Sequence, residues 1–442
     1  MAVKIAMVSL GCPKNQTDAE IMLKKLYDAG YELTVEENEA DVIIVNTCGF
    51  IESAKKEAID VILDVASLKK EGKLKKLIVT GCMAERYMDD IVSDLPEVDA
   101  VVGIGANKNI ADIIKTALTN DRTLSFPAQK EHLLLEGDRI LANPPYYAYL
   151  RIADGCDNKC TYCAIPLIRG SYRSRKFENI IEEAKRLAMG GVKELIVIAQ
   201  DITRYGMDLY GRLRLAELLT ELSKIEGIEW IRLLYTYPDL ITDELLEVMA
   251  NNPKVLKYID IPLQHASGTV LKRMNRRGDK KTLTALIKKI RSTVQGVTIR
   301  TTFITGFPGE TKEEFNELCD FVEECRFDRM GAFAYSEEEG TVAGEMPDRV
   351  DQKVRTERQN ILMEMQYAIM EELNEQKLGS VVDVLVEGYD RDNKVYFGRT
   401  TADAPDIDCK IFFTSGTKCE EGDIVKVEIS EIMEYDLLGK TI

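Results

Sequence analysis

The chain has 442 residues, 45% of them hydrophobic and 30% charged, and a formal net charge of -17 at pH 7. Such a length allows two or three domains with well-buried cores, and the composition is that of a soluble globular protein rather than a disordered or fibrous one. No apolar run approaches the length of a membrane span, and the acidic balance disfavours a polyanion and suits a basic partner, although a local basic patch could still bind nucleic acid.

Residues 1 to about 138 read as alternating strands and helices. Apolar runs at Lys4–Leu10, Asp41–Asn46 and Lys76–Thr80 predict strands, and amphipathic stretches near Asp18–Ala29 and Ile51–Leu68 predict helices between them. That order implies a doubly wound parallel sheet. A cysteine lies just beyond each run, at Cys12, Cys48 and Cys82, and each has a glycine beside it. In open α/β sheets ligand sites form outside the carboxyl ends of the strands, and glycine lets backbone approach a bulky group. The repeated placement points to a three-cysteine iron–sulfur site. The alternative is three buried structural thiols, because cysteine is among the most buried residue types.

Asn143-Pro144-Pro145 cannot continue a helix and suits a linker. The run Tyr147–Ile152 then leads into Cys156, Cys160 and Cys163, a C-x-x-x-C-x-x-C spacing. Three thiolates this close can hold three irons of a 4Fe–4S cubane and leave the fourth iron open, which points to chemistry at the metal. A zinc site would want a fourth ligand, and the two histidines, His132 and His265, are far away in sequence. A disulfide with a spare thiol is the other alternative. The start, Met1-Ala-Val-Lys-Ile5, runs straight into a strand with no signal peptide, so we expect a cytoplasmic protein with reduced thiols.

Further strands are predicted at Glu194–Ile198, Trp230–Leu234, Tyr258–Ile261, Thr298–Phe303 and Arg329–Ala334, with helices between them. This series suggests a full or partial (β/α) barrel whose active site lies at the C-terminal strand ends. Residues 349 to 378 read as a long helix, with Val350, Val354, Ile361, Met365, Ile369 and Leu373 among its apolar positions. Short alternating strands such as Val381–Val386 and Ile424–Ile429 then predict a small all-β barrel. From Gln376 onward there are 14 acidic against 8 basic residues, a net of -6. Cys319, Cys325, Cys409 and Cys419 have no cluster spacing and read as ordinary thiols.

The cysteine loop after the first barrel strand resembles that of radical S-adenosylmethionine (SAM) enzymes. With the N-terminal three-cysteine domain and the C-terminal barrel, the whole chain resembles the radical SAM methylthiotransferases, whose barrel is an OB-like TRAM domain. Asn46–Phe50, Ile261–Gly268, Thr302–Glu310, Tyr335-Ser336 and Glu339–Thr341 support the resemblance. Ser9–Asn15 and Ala153–Cys160 are similar to the branch that modifies a ribosomal protein.

The resemblance implies three domains: 1–138, the methylthiotransferase domain; 146–375, the radical SAM domain; and 376–442, the TRAM barrel. It implies SAM and two 4Fe–4S clusters, on Cys156, Cys160 and Cys163 and on Cys12, Cys48 and Cys82. The first would cleave SAM to a 5′-deoxyadenosyl radical, and the second would carry the sulfur or methylthio group. The implied substrate is an aspartate β-carbon of ribosomal protein S-12, with a flavodoxin or ferredoxin as electron donor and a separate sulfur donor. Two other functions remain: the same chemistry on tRNA adenosine, and a non-catalytic iron–sulfur carrier. An acidic barrel suits a lysine- and arginine-rich ribosomal protein better than tRNA, so nucleic acid is not the expected substrate.

In radical SAM barrels the neighbourhood of Gln200 often contacts SAM; an ordinary turn after a strand is the alternative. Gln264 and Arg300 lie within or beside barrel strands and could face the cavity, with a hydrogen-bonded core group or a salt bridge as the alternative. His265 reads as structural. The basic runs Arg169, Arg173, Arg175, Lys176 and Lys272, Arg273, Arg276, Arg277, Lys280, Lys281 read mostly as solvated helix surface, with an anionic partner as the functional alternative.

Overall fold

The computed structural model describes residues 3–49, 51–120, 124–127, 133 and 135–442. His132 and Phe50 therefore lie outside the described residues. The chain divides into two compact units. One comprises Met1–Pro144, Ala153–Arg175 and Ser336–Gly344; the other comprises Pro145–Ile152, Lys176–Tyr335 and Glu345–Ile442.

In the first unit six parallel strands lie in the order Glu32–Leu33, Lys4–Ser9, Val42–Thr47, Lys76–Gly81, Ala100–Val102, Leu124–Phe126. Ile43, Val45, Leu77 and Val79 pack on one face with Ala58, Ile62 and Val65 of the helix Glu52–Lys70. Val42, Ile44, Ile78 and Val102 pack on the other with Ala19, Met22 and Leu26 of the helix Pro13–Asp28, and with Ile110, Ile113 and Ile114 of the helix Ile110–Leu118. Burial on both faces is why the central strands read as unbroken apolar runs. The strands that sequence reading missed are only two or three residues long, too short to carry a period. The first helix begins five residues before its predicted start. Pro13 opens it, where a missing N–H costs nothing, and Cys12 is its N-cap.

In the second unit six parallel strands lie in simple chain order: Tyr147–Arg151, Glu194–Ile198, Trp230–Leu233, Val255–Asp260, Thr298–Thr305, Arg329–Ala334. The sheet is open, a partial barrel. The long helix spans Gln352–Glu375, and Asp351 caps it by accepting from the Lys353 N–H at 2.9 Å. Its buried face corrects the predicted one. Leu362, Gln366, Ile369, Met370 and Asn374 are buried, whereas Ile361 is exposed. Polar residues hold this face because the sheet's end offers carbonyls: Gln366 Nε2 donates to Phe327 O at 2.9 Å, and Arg355 Nη1 to Tyr335 O at 3.1 Å.

The last strands, Val381–Asp390, Val395–Thr400, Ile411–Thr414, Ile424–Met433 and Asp436–Thr441, form a closed barrel around Val384, Val386, Phe413, Val427 and Ile429. The barrel is fastened to the sheet of its own unit. Leu385 and Ala404 pack with Tyr147, Trp230 and Tyr258. Glu194, fully buried, accepts from Arg232 Nε and Arg399 Nη2, both at 2.7 Å. Asp408 belongs to this joint too, accepting from Tyr258 OH at 2.6 Å. Among the described residues no helix is long and apolar enough to cross a membrane.

Candidate functional site

The first unit contains both three-cysteine sequences. Cys12 caps the helix Pro13–Asp28, Cys48 follows the strand Val42–Thr47, and Cys82 opens the short helix Cys82–Arg86. Glycines let these three turns close on one another. A Cβ on Gly11 would lie 2.7 Å from Cys48 Cβ, and one on Gly81 would lie 2.3 Å from Thr47 O. Gly81 also has φ 97°, a backbone that side chains rarely adopt.

Asn15 stitches the turns together. Its Nδ2 donates to Leu10 O at 3.1 Å and to Thr47 O at 2.8 Å, while its Oδ1 accepts from Cys82 Sγ at 3.4 Å. Asn46 Nδ2 donates to Asn15 O at 2.8 Å, which fixes the stitch from the central strand.

The electrostatics separate the thiols. Burial alone would push Cys12 up, but the charges of Lys14 and Arg169 and the N–H groups of Asn15 and Lys14 hold it below its usual value. A helix N-terminus favours the same anionic form. Cys82 is pushed up to about 12 by burial, with Cys12 and Cys48 adding to the rise and Arg169 opposing it. A cation introduced among the sulfurs would bring all three to thiolate.

The Cys156–Cys163 loop is anchored at both ends. Ala153–Asp154 pairs antiparallel with Arg173–Ser174, the Cys156 N–H donates to Gly170 O at 3.2 Å, and the Cys163 N–H donates to Cys160 O at 3.0 Å. Gly155, at φ 80°, packs so tightly that a Cβ there would lie 2.1 Å from Ser171 O. The segment Ser336–Gly344 covers the loop: the Ala343 N–H donates to Thr161 O at 2.9 Å. Buried Glu338 holds this segment, accepting from Arg86 Nη1 at 3.0 Å, and Arg86 Nη1 also donates to Gly49 O beside Cys48 at 2.9 Å.

Arg169 corrects the surface reading of its basic run. It is 1% exposed and joins the two cysteine sequences. Nη1 donates to Asp154 Oδ2, and Nη2 to Asp18 Oδ2 and Asn15 Oδ1, all at 2.8 Å; Nη2 also lies 3.8 Å from Cys82 Sγ. No charge pattern in the sequence announces it, because its anions lie 151 and 15 residues away. Arg175 and Arg276 are buried as well, Arg276 Nη2 donating to Pro262 O at 2.6 Å, whereas Lys272, Arg277 and Lys281 are exposed as expected.

All six cysteines are soft sulfur donors suited to iron–sulfur clusters. Among the described residues no three His, Cys, Asp or Glu converge on a single-ion site. A cluster asks for a wider spacing, since each thiolate takes its own iron. No disulfide joins any of the ten cysteines. Burial pushes the Cys319, Cys325 and Cys409 thiols up to about 11, so they stay protonated at neutral pH.

In the second unit Gln200 is half-buried, two residues past the strand Glu194–Ile198. Gln264 holds a left-handed φ of 71°; its N–H donates to Thr302 O and its carbonyl accepts from the Ile304 N–H, both at 2.8 Å. A non-glycine residue held there stores strain of a kind that clusters at functional sites. Arg300 Nη1 pairs with Asp260 Oδ1 at 2.9 Å, and its Nε lies 3.5 Å from Asp408 Oδ1, so the salt-bridge alternative describes its position. His265 is fully buried; its Nδ1 accepts from the Ser267 N–H at 2.9 Å and its Nε2 lies 3.4 Å from Glu310 Oε2.

Three family models match: residues 4–103 match an uncharacterized protein family, UPF0004; residues 150–322 match the radical SAM superfamily; residues 378–442 match the TRAM domain. A ribosomal protein uS12 methylthiotransferase RimO of Clostridioides difficile (strain 630) is 51% identical over 437 residues, covering 99% of this chain and 98% of that one. A RimO of Pelotomaculum thermopropionicum is 49% identical over the whole of both chains.

The chain belongs to the RimO family of methylthiotransferases.

It is thus a radical SAM enzyme of the methylthiotransferase class, and membership of that superfamily implies SAM and a 4Fe–4S cluster. The fold class expected from the sequence, two parallel α/β sheets followed by a small TRAM barrel, is the one observed. Among solved structures, the radical SAM methyltransferase TsrM from Kitasatospora setae, with cobalamin and a 4Fe–4S cluster bound, aligns with a TM-score of 0.58 at 14% identity, covering 78% of this chain and 77% of that one. The cobalamin-dependent enzyme OxsB aligns with a TM-score of 0.52 at 14% identity, covering 85% of this chain and 61% of that one. At such identities the likeness is one of fold alone.

Proposed function

We propose that this protein adds a methylthio group to the β-carbon of an aspartate in ribosomal protein uS12. Cys156, Cys160 and Cys163 hold one 4Fe–4S cluster, and Cys12, Cys48 and Cys82 hold a second. The observation that carries the reading is two three-thiol sequences built into one compact unit, in a chain whose relatives named uS12 methylthiotransferases match it end to end. When bound, the clusters and SAM supply the oxidising power to break an aliphatic C–H bond, which no side chain provides.

The chain's own residues do the rest. Lys14, Arg169 and the helix N-terminus favour thiolate at Cys12. Asn15 fixes the spacing of the three N-terminal turns, and Gly155 with the Ala153–Asp154 pairing fixes the start of the loop. Gln200 and Gln264 are our candidates for SAM contact, whereas Arg300 we assign to the joint with the barrel. We divide the work among residues 1–138 for sulfur transfer, 146–375 for SAM chemistry and 376–442 for substrate docking. The exposed acids Asp406, Glu420 and Glu421 give the barrel a face for a basic protein. A low-potential donor such as a flavodoxin or ferredoxin and a sulfur donor complete the set, in the cytoplasm.

The test is anaerobic incubation of the reconstituted protein with SAM, reductant, sulfide and a peptide carrying the uS12 loop, read by mass spectrometry. A methylthio group in place of one aspartate hydrogen, lost in Cys156→Ala and in Cys12→Ala, is the expected result. SAM cleavage with modification of tRNA adenosine instead of peptide would overturn the substrate. No SAM cleavage by fully loaded protein would overturn the activity in favour of an iron–sulfur carrier.

A further inference from the structure

Arg169 is a buried cation with more than a packing role available to it. A buried guanidinium satisfied by one carboxylate would suffice for structure. This one is split between two directions: Nη1 faces Asp154, the residue before Gly155-Cys156, and Nη2 faces Asp18, Asn15 and Cys82 Sγ. Asp154 Oδ1 in turn accepts from the Gly155 N–H at 2.8 Å, so the same carboxylate that holds the guanidinium holds the start of the 156–163 loop. Cys82 packs with Ala164, the N-cap of the helix Ile165–Arg169, and with Ile168, the residue before Arg169, so this thiol lies against the helix that carries the arginine.

We propose that Arg169 is a positioning residue that couples the two cysteine sites, with its N–H···S contact to Cys82 setting the reduction potential of the N-terminal cluster. The inference rests on the reading that Cys12, Cys48 and Cys82 hold a cluster. Adding one electron to a cluster adds one negative charge. A cation beside a ligating sulfur, in surroundings that exclude water, stabilises the reduced form and raises the potential. Hydrogen bonds to the sulfurs act in the same sense and orient the ligand. The selectivity follows from the contacts. Arg169 reaches a sulfur of the N-terminal set, whereas its contact with the loop is to Asp154 and not through a thiol. Its charge is fixed at all working pH values, so the effect does not titrate.

The experiment is an anaerobic redox titration of full-length, reconstituted protein, following both clusters by electron paramagnetic resonance, for wild type, Arg169→Gln and Arg169→Lys. Iron content and a Cys12→Ala variant come first. If wild type holds only one cluster, or Cys12→Ala loses no iron, the two-cluster reading fails irrespective of Arg169. With two clusters present, we expect Arg169→Gln to lower the midpoint of the signal that Cys12→Ala removes. Arg169→Lys should restore part of the shift, and the other midpoint should stay in place. Unchanged midpoints in both variants, or a shift confined to the 156–163 cluster, would overturn the proposal. Loss of the N-terminal cluster from both variants would also overturn it, by assigning Arg169 to packing alone.

Discussion

Asn15 ties three turns of the N-terminal site together, and Asn15→Ala puts a number on that role. The side chain is fully buried and makes bonds to three separate turns. Truncation leaves Thr47 O buried without that donor, at about 1–3 kcal/mol, and removes one charge-assisted bond from Arg169, at about 1.5–3 kcal/mol. Leu10 O is only part-buried and recovers water, so its loss adds little. The total is about 2.5–6 kcal/mol, and for a unit of this size that is a fall in melting temperature of roughly 5–24 °C. The assay is anaerobic thermal unfolding of the cluster-free and reconstituted proteins, with iron counted after desalting. We expect Asn15→Ala to melt earlier in both forms and to lose iron from the N-terminal site while the 156–163 loop keeps its own. Asn15→Asp keeps the acceptor for Arg169 but loses both donors and should recover only part of the stability. A melting temperature and iron content equal to wild type would refute the view that Asn15 holds the turns in register.

Three further outcomes are expected. Glu194 sits below its usual value of 4.5 because the charges of Arg399 and Arg232 outweigh the burial that would raise it. Its stabilising contribution is therefore fully present above that value and lost as pH falls through the lower folded value. Glu194→Gln should cost about 3–5 kcal/mol at pH 7 by leaving buried Arg232 without its carboxylate and Arg399 with Glu387 alone. The gap to wild type should narrow below about pH 4.5 in melts run across pH; a gap that does not change with pH would refute the assignment. Gly155→Ala forces a Cβ against Ser171 O from a left-handed backbone and should abolish SAM cleavage while far-ultraviolet dichroism stays unchanged; full cleavage activity would show that the loop start tolerates displacement. Charge reversal of exposed Asp406, Glu420 and Glu421 to Lys should weaken uS12 binding at least several-fold at low salt, measured by titration calorimetry, with no change in melting temperature. Asp408 is left out of that set because its carboxylate is bonded to Tyr258 and Ala404 inside the joint, and reversing it would test folding instead.

The class of fold is legible in the chain's local pattern. Central strands buried on both faces must be apolar throughout, so Val42–Thr47, Lys76–Gly81 and Glu194–Ile198 are legible as runs. Three cysteines on one short loop stand out by their spacing alone. Strand-end cysteines repeat a position that local order already dictates. Tertiary structure decided what no local pattern carries. Arg169 looks like one more surface base until Asp18, 151 residues away, is brought to it. The buried face of Gln352–Glu375 contains Arg355 and Gln366 because carbonyls at a sheet end accept from polar groups that hydropathy would place in water. Arg300 reads equally as a cavity residue or a salt-bridge partner, and only the assembled strands bring Asp260 and Asp408 to it. A buried polar group is defined by its partners, and partners distant in sequence are fixed only when the chain has folded.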